Sequence, residues 1–478
     1  MYTRMHTFTE AEMDRIHEAS LAVLERTGII FNDPESVEIL KSHGVRMDGK
    51  KAFLSAKDIE SALASCPASF TVKALNPEND RKIGGDDFVM LPGYGAPFVT
   101  MSDGNQRPSV YRDYEDFVKL VQGSPSIDMN GFLMVEPSDS DPRAAHLDML
   151  LAGLLCCDKP LMGSPINRKA ADDCVGLIRA AFGDGPGDGR PATVSLINSL
   201  TPLQFSEEMA SSLVRLVRGG QAVCVAALIM SGSSGPITIP GVLALQNAEV
   251  LAGITLAQLA QPGAPVVYGS TSSAMDLKSG ALAIGAPELS VIVNLTSQLA
   301  RRYGLPCRSG GSLTDSLCVD AQAGAESALA LLTAVNSGVN FILHSAGILG
   351  SYISMSFEKF IADEEVAMMV RRMAAPLAVG EEEIDAKGIM EVGPGGNFLT
   401  RPRTARLCRK EIFQPRLMNR MNVEGWTAKG SPDLARLASG KLKERLESWK
   451  APDMDPSRRA DIVKKARELA GGAPLLAA

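Results

Sequence analysis

The run VVYGSTSSAMD, Val266 to Asp276, leads two valines into Tyr268, a glycine and four hydroxyl side chains, Ser270, Thr271, Ser272 and Ser273. Other short apolar runs end in a similar way. They stop at Glu136, at Gly163 and Ser164, at Asn198 and Ser199, at Met230 and Ser231, at Ser309 to Ser312, and at His344 and Ser345. Apart from Glu136, the neighbouring Arg308 and His344, these ends are neutral and small. A serine nucleophile needs a base within hydrogen-bond reach, and one histidine is on offer. A zinc enzyme would need three or four ligands; His344, Cys307 and Glu136 are conceivable but show no recognisable spacing. VGPGGNF, Val392 to Phe398, is a lone glycine cluster and reads as a turn before it reads as a phosphate cradle. The pattern suits a protein that binds something and lets another agent react.

Those ends need strands to hold them. Apolar runs recur at Asn130–Val135, Pro160–Pro165, Ala192–Asn198, Ala222–Met230, Pro265–Thr271, Pro306–Gly311 and Phe341–Gly347, with helical stretches between them. Runs that are apolar throughout mark strands buried on both faces, hence a parallel sheet covered by helices. The expectation is an α/β fold, a (β/α)8 TIM-type barrel, with the chemistry at the C-terminal strand ends. A doubly wound sheet is the alternative. GIMEV near residue 390, or an earlier segment, would supply the eighth strand. Residues 1–127 read as an N-terminal helical and hairpin layer, with Ser55 as a helix N-cap and a hairpin over 86–105. Residues 128–427 read as the barrel. Residues 428–478 read as a charged helical tail, solvated or in an oligomer contact.

Composition narrows the function classes. The chain of 478 residues is 45% hydrophobic and 22% charged, with a net charge of −7. It has no excess of Lys and Arg to meet phosphates, so nucleic acid is not an expected partner. The N-terminal stretch has no basic segment followed by an apolar one, and no apolar run is read as a bilayer span, so the expectation is a cytoplasmic protein without a membrane. The eight cysteines are scattered and form no CxxC pair, which argues against a disulfide framework or an iron–sulfur cluster.

Several longer stretches resemble the trimethylamine methyltransferase family of cobalamin-dependent methyltransferases. They are YGSTSSAMDLKSGALAIGAPE, SLTDSLCVDAQAGAESAL, SFEKFIADEE, NSLTPL, SGSSGPITIPG and VGPGGNFLT. Archaeal members carry pyrrolysine, at a position that would fall in Asp315 to Asp320, around Leu317. This sequence has only standard residues there, and so is similar to the pyrrolysine-lacking members that resemble glycine betaine methyltransferases. Arg403-Thr404 stands where the family pattern has His-Thr. The resemblance implies transfer of a methyl group from a quaternary amine, glycine betaine or a related betaine, to cob(I)alamin on a separate corrinoid protein. The products would be the tertiary amine and methylcob(III)alamin. No DxHxxG cobalamin signature occurs in the chain, so no cofactor is expected to be bound tightly. The chain is also expected to form a homo-oligomer. The alternatives are a non-catalytic quaternary-amine binding protein, or a family member using another methylated amine.

Cob(I)alamin would itself be the nucleophile, so no catalytic side chain is expected. A cation without N–H groups is held by aromatic faces. Tyr94, between glycines, and Tyr268, at a strand end, are the first candidates for substrate binding, with Phe98 and Tyr352 behind them and Phe357 weaker still. If the substrate carries a carboxylate, Arg308 and His344 at adjacent strand ends are the donors. Asp315, Gln322 and Glu326 in TDSLCVDAQAGAE are expected to order the cavity. Glu358, Asp363 and Glu364 read as helix-surface or interface charge.

Overall fold

The computed structural model describes residues 5–183 and 189–477. Its central sheet has seven strands, in the spatial order Val89–Met90, Phe341–Ile342, Cys307–Arg308, Val266–Ser270, Ala222–Ala227, Thr193–Asn198 and Leu161–Met162. All adjacent pairs are parallel. The segment at Asp128–Asn130 joins the two edges. On one side Asn130 N donates to Pro160 O (2.7 Å) and Met162 N to Asn130 O (3.0 Å); on the other, Asp128 N donates to Met90 O (2.8 Å). The sheet closes into a barrel. Ala222–Ala227 and Val266–Ser270 are buried at every position, as strands covered on both faces must be.

The stave that the periodicity leaves open is Val89–Met90, two residues long and 40 residues ahead of the next. GIMEV is not a strand: it lies in the helix Ala386–Val392, which has one buried residue, Gly388. The barrel therefore begins before residue 128, and its last helix, Phe357–Ala374, ends well before 427. The hairpin expected over 86–105 is displaced: Phe98–Thr100 pairs antiparallel with Gln106–Pro108 and parallel with Ser354–Met355, making a small sheet beside the barrel mouth.

Helices pack around the ring. Ile239–Ala260 is long and apolar enough to cross a bilayer by composition, yet 72% of its most apolar window is buried. The N-terminal helices Glu10–Arg26 and Ala56–Ser65 lie across it, each opened by a capping box, at Thr9 with Glu12 and at Ser55 with Asp58. Gly253 lets it sit close to the sheet, since a Cβ there would lie 2.6 Å from Val225 Cγ1 and 2.7 Å from Phe205 Cζ.

The C-terminal tail is part of the packed body. Leu434–Ser448 lies on Phe357–Ala374, and Pro456–Ala470 on Ala145–Cys156 and Arg168–Phe182. This overturns the surface reading of Glu358, Asp363 and Glu364, which are buried. Arg445 of the tail makes two 2.6 Å bonds to Glu364, and Ser439 donates to Glu358 (3.0 Å). Asp363 pairs with Lys359 and accepts from Gly347 N (2.9 Å).

Glu249 holds the loop after Thr193–Asn198 against the long helix. Fully buried, it accepts from Ser199 Oγ, Thr201 Oγ1 (2.8 Å) and Leu203 N (2.8 Å). Glu249→Ala strands those donors and should lower the unfolding free energy by about 2–4 kcal/mol, read by urea denaturation. A variant as stable as the parent would contradict this role.

Candidate functional site

Strand alternation decides which side chains enter the barrel. Asn198, Ala226, Gly269 and Arg308 are register partners across four neighbouring strands, so they share one face. That face is the interior. The opposite parity points outward, because Tyr268 and Ser270 reach the covering helix Ile239–Ala260: Tyr268 Oη donates to Asn247 Oδ1 (2.9 Å) and Ser270 Oγ to Gln246 Oε1 (2.5 Å). Ala226 and Gly269 leave room where a larger residue would crowd the guanidinium; a Cβ on Gly269 would already lie 2.8 Å from Ala226 Cβ and 2.9 Å from Cys224 Sγ.

Arg308 is 1% exposed and has no carboxylate among its hydrogen-bond partners. Its Nη2 lies 3.1 Å from His344 Nε2, while Nε and Nη1 have no hydrogen-bond partner. Burial pushes its pKa down, but a guanidinium stays protonated in proteins. His344 is pushed well below the usual histidine value by burial and then by Arg308, so it is neutral. Tyr94 N also donates to this ring, at Nδ1 (3.2 Å). A neutral imidazole has one lone pair and cannot accept from both. Whichever tautomer forms, one N–H is left facing another donor. Arg308, His344 and Tyr94 N together are one acceptor short, and a carboxylate oxygen is the kind of group that supplies one.

Two tyrosines border this group. The Tyr352 and His344 rings have centroids 4.7 Å apart at 47°, and the buried Tyr352 hydroxyl has no partner. Burial raises the Tyr94 and Tyr352 pKa values while Arg308 opposes the rise, so both phenols remain neutral rings with polar tips. The backbone is strained here: His344, Ser351 and Tyr352 have φ of +63°, +55° and +75°, half of the six such non-glycine residues among those described.

Three loops are tied together to hold that strain. Asp315 accepts from Ile284 N (2.8 Å), Gly285 N (2.9 Å) and Ser351 Oγ (2.6 Å). Glu326 accepts from Thr314 Oγ1 (2.6 Å), Asp315 N (2.9 Å) and Gln322 Nε2 (3.0 Å). A Cβ at Gly285 would lie 2.3 Å from the Glu326 carboxyl, so a side chain there would push that carboxyl out of its bonds. Asp315 and Glu326 therefore span the loops around the mouth, while Gln322 braces Glu326 from the exposed side.

The structure thus brings together Arg308, His344, Tyr94 and Tyr352. Tyr268 is not with them; its ring packs 6.0 Å from Tyr303, behind the barrel wall. Phe98 lies half-buried in the mouth sheet beside Ile353, and Phe357 is stacked on Phe117 (4.2 Å). Most of the hydroxyl row serves the backbone: Ser272 bonds Ala227 O and Ile229 N, and Ser273 bonds Ala283 O. Cys307 has the parity opposite to Arg308, Glu136 is exposed, and no three metal-ligating side chains converge among the described residues. Asn198, with a buried and unpartnered Oδ1, is a lining residue that its strand-end position signalled but its chemistry did not single out.

Comparison with known proteins agrees with this architecture. A family model described as trimethylamine methyltransferase matches residues 1–469. Glycine betaine methyltransferase of Desulfitobacterium hafniense is 42% identical over 460 residues, covering 96% of both chains. Proline betaine:corrinoid methyltransferase of Eubacterium limosum is 31% identical over 476 residues, covering 95% of both. The crystal structure of monomethylamine methyltransferase from Methanosarcina barkeri superposes with a TM-score of 0.53 at 9% identity, over 99% of this chain and 90% of that one, a likeness of fold. Matched over most of its length by the family model and by relatives above 30% identity, the chain belongs to the trimethylamine methyltransferase family and is a methyltransferase.

Proposed function

We propose that this protein demethylates a betaine, a quaternary amine that also carries a carboxylate, with glycine betaine the first choice. One observation carries the reading: Arg308 is a buried guanidinium with two unpartnered nitrogens and no carboxylate to neutralise it. A substrate carboxylate completes Arg308 and takes the N–H that His344 cannot accept. Trimethylamine has no such group. The names of the Desulfitobacterium and Eubacterium relatives, both betaine enzymes, support the same substrate class.

Because Arg308 lies within the barrel, the carboxylate enters first and the trimethylammonium stays nearer the mouth. Tyr94 and Tyr352 offer ring faces to the cation. Cobalamin on a separate corrinoid protein, in the cytoplasm with this chain, would supply the nucleophile that takes the methyl group. The lining fits that division of labour. The C–N bond breaks with its electron pair on nitrogen, the tertiary amine leaves uncharged, and no side chain has to give or take a proton. The chain's own task is to fix the methyl group in line with the mouth and keep water away.

The test is a spectroscopic screen of free cob(I)alamin with glycine betaine, proline betaine, carnitine, choline and trimethylamine. Methylcob(III)alamin should form with a carboxylated donor and not with choline or trimethylamine. Turnover of trimethylamine or choline alone would overturn the assignment, and binding of a betaine without turnover would favour a binding protein.

Arg308→Met separates site from scaffold. It removes a charge that the ligand-free protein buries without compensation, so apo stability should rise by about 1–3 kcal/mol while betaine affinity collapses. A destabilised variant would show Arg308 to be a structural residue.

Neutral His344 gives a pH prediction. Its folded pKa is depressed, so the stability tied to its neutral form is present above the unfolded value and lost as pH falls below about 6.5. Betaine affinity should be flat between about pH 7 and pH 8.5. A histidine step within that window, seen by calorimetry, would contradict the neutral assignment.

A further inference from the structure

The C-terminal tail is packed on its own body, but the segment in front of it is not. From 375 to 430 the chain forms four short helices, Glu381–Ile384, Ala386–Val392, Pro402–Glu411 and Val423–Ala428, and buries only Gly388 and Leu417. Met373 and eleven large apolar side chains of this segment, among them Val379, Met390, Leu399 and Val423, are 36% to 79% exposed. The rest of the described chain, several times longer, exposes eleven to that degree. Scattered apolar exposure is ordinary. This concentration is not.

The segment is also built inside out. Its helices are joined by ions: Arg401 pairs with Asp385 (2.7 Å) and Glu391 (3.3 Å), and Arg403 with Glu382 (3.3 Å). The Arg401 guanidinium lies over Gly388, leaving no room there for a Cβ. Ile384, Ile389, Met390 and Leu399 are left in solvent. Helices this short are marginal in water without a partner for their apolar side, and exposed ion pairs contribute only about 0–1 kcal/mol each.

We propose that a second copy of this chain covers the segment, which is the arm of a two-fold contact. Area is the first reason. At about 150 Å² for a fully exposed large side chain, the arm presents about 1,000 Å² of apolar surface, and a stable interface takes about 800 Å² from each partner. Charge is the second. Glu381 and Glu383 on the first helix, and Arg409 and Lys410 at the end of the third, have no ion-pair partner among the described residues. A surface that carries the two signs apart complements itself under a two-fold rotation, because each patch meets its opposite twice. The third reason is permanence. A partner that came and went would leave this apolar area bare for part of the time, whereas a second copy is present wherever the chain is made. None of these reasons depends on the substrate.

Sedimentation velocity and hydrogen exchange on the full chain test the arm. Wild type should sediment at no less than twice the mass of one chain, with the amides of 386–392 and 402–411 protected. Ile389→Glu with Met390→Glu should raise the dissociation constant at least about hundredfold and expose those amides. A chain carrying Glu381→Lys and Glu383→Lys, and another carrying Arg409→Glu and Lys410→Glu, should each sediment as a single chain. Mixed together they should recover the wild-type mass, since each reversed patch then faces its opposite. These four positions are exposed, so the charge variants keep the test decisive if the double glutamate misfolds. A single-chain wild type, unprotected arm amides in an assembled wild type, variants that keep the wild-type mass, or a mixture that stays apart would overturn the proposal.

Discussion

A positive charge shut inside a barrel without a counterion is the constraint on which the rest of this structure turns. Desolvating a guanidinium costs several kcal/mol, and proteins ordinarily recover part of it with a buried carboxylate. Here the acidic side chains of the surrounding loops are committed elsewhere. Asp315 and Glu326 are saturated by backbone amides and hydroxyls of the loops they tie, which keeps them from collapsing onto Arg308. The small residues Ala226 and Gly269 keep the space around it open. Asp315 also holds Ser351, next to the strained Tyr352.

This organisation accounts for the poverty of acids and bases that the strand ends show. Enzymes that move protons pair titratable groups whose environments push their pKa values apart. In this barrel the environment removes titration: the imidazole is held neutral and the phenols stay protonated. What is left is a set of fixed, unpartnered polar groups around a buried guanidinium, an arrangement suited to placing a charged molecule rather than to reacting with it.

Much of the fold was legible because both-face burial writes apolar runs into the sequence: six of the runs hold strands of the ring, while the run Asn130–Val135 meets the closing segment only at Asn130 and is bends beyond it. Val89–Met90 was not, because two residues cannot show a period. Site residues fared according to parity. Arg308 and His344 were visible as the only charged or titratable groups at their strand ends. Tyr268 looked equally well placed, but a fully buried strand has no polar alternation to tell its inner from its outer face, and the outer face won. Glu364 could not be read as buried from its own helix, since the partner that covers it, Arg445, lies 81 residues further on. Its charge pattern is that of a surface; only the returning tail makes it an interior.

The depth of Arg308 also makes the barrel a ruler. The guanidinium is anchored on a strand of two residues inside a closed ring, so it cannot rise or sink to suit its ligand. A molecule held there by its carboxylate projects its ammonium a distance set by its own backbone, and only one spacing brings a methyl group level with the mouth. On the proposed reading, shifting the charge by one layer, up or down the strand, would change which betaine fits without touching the groups proposed to surround its methyls.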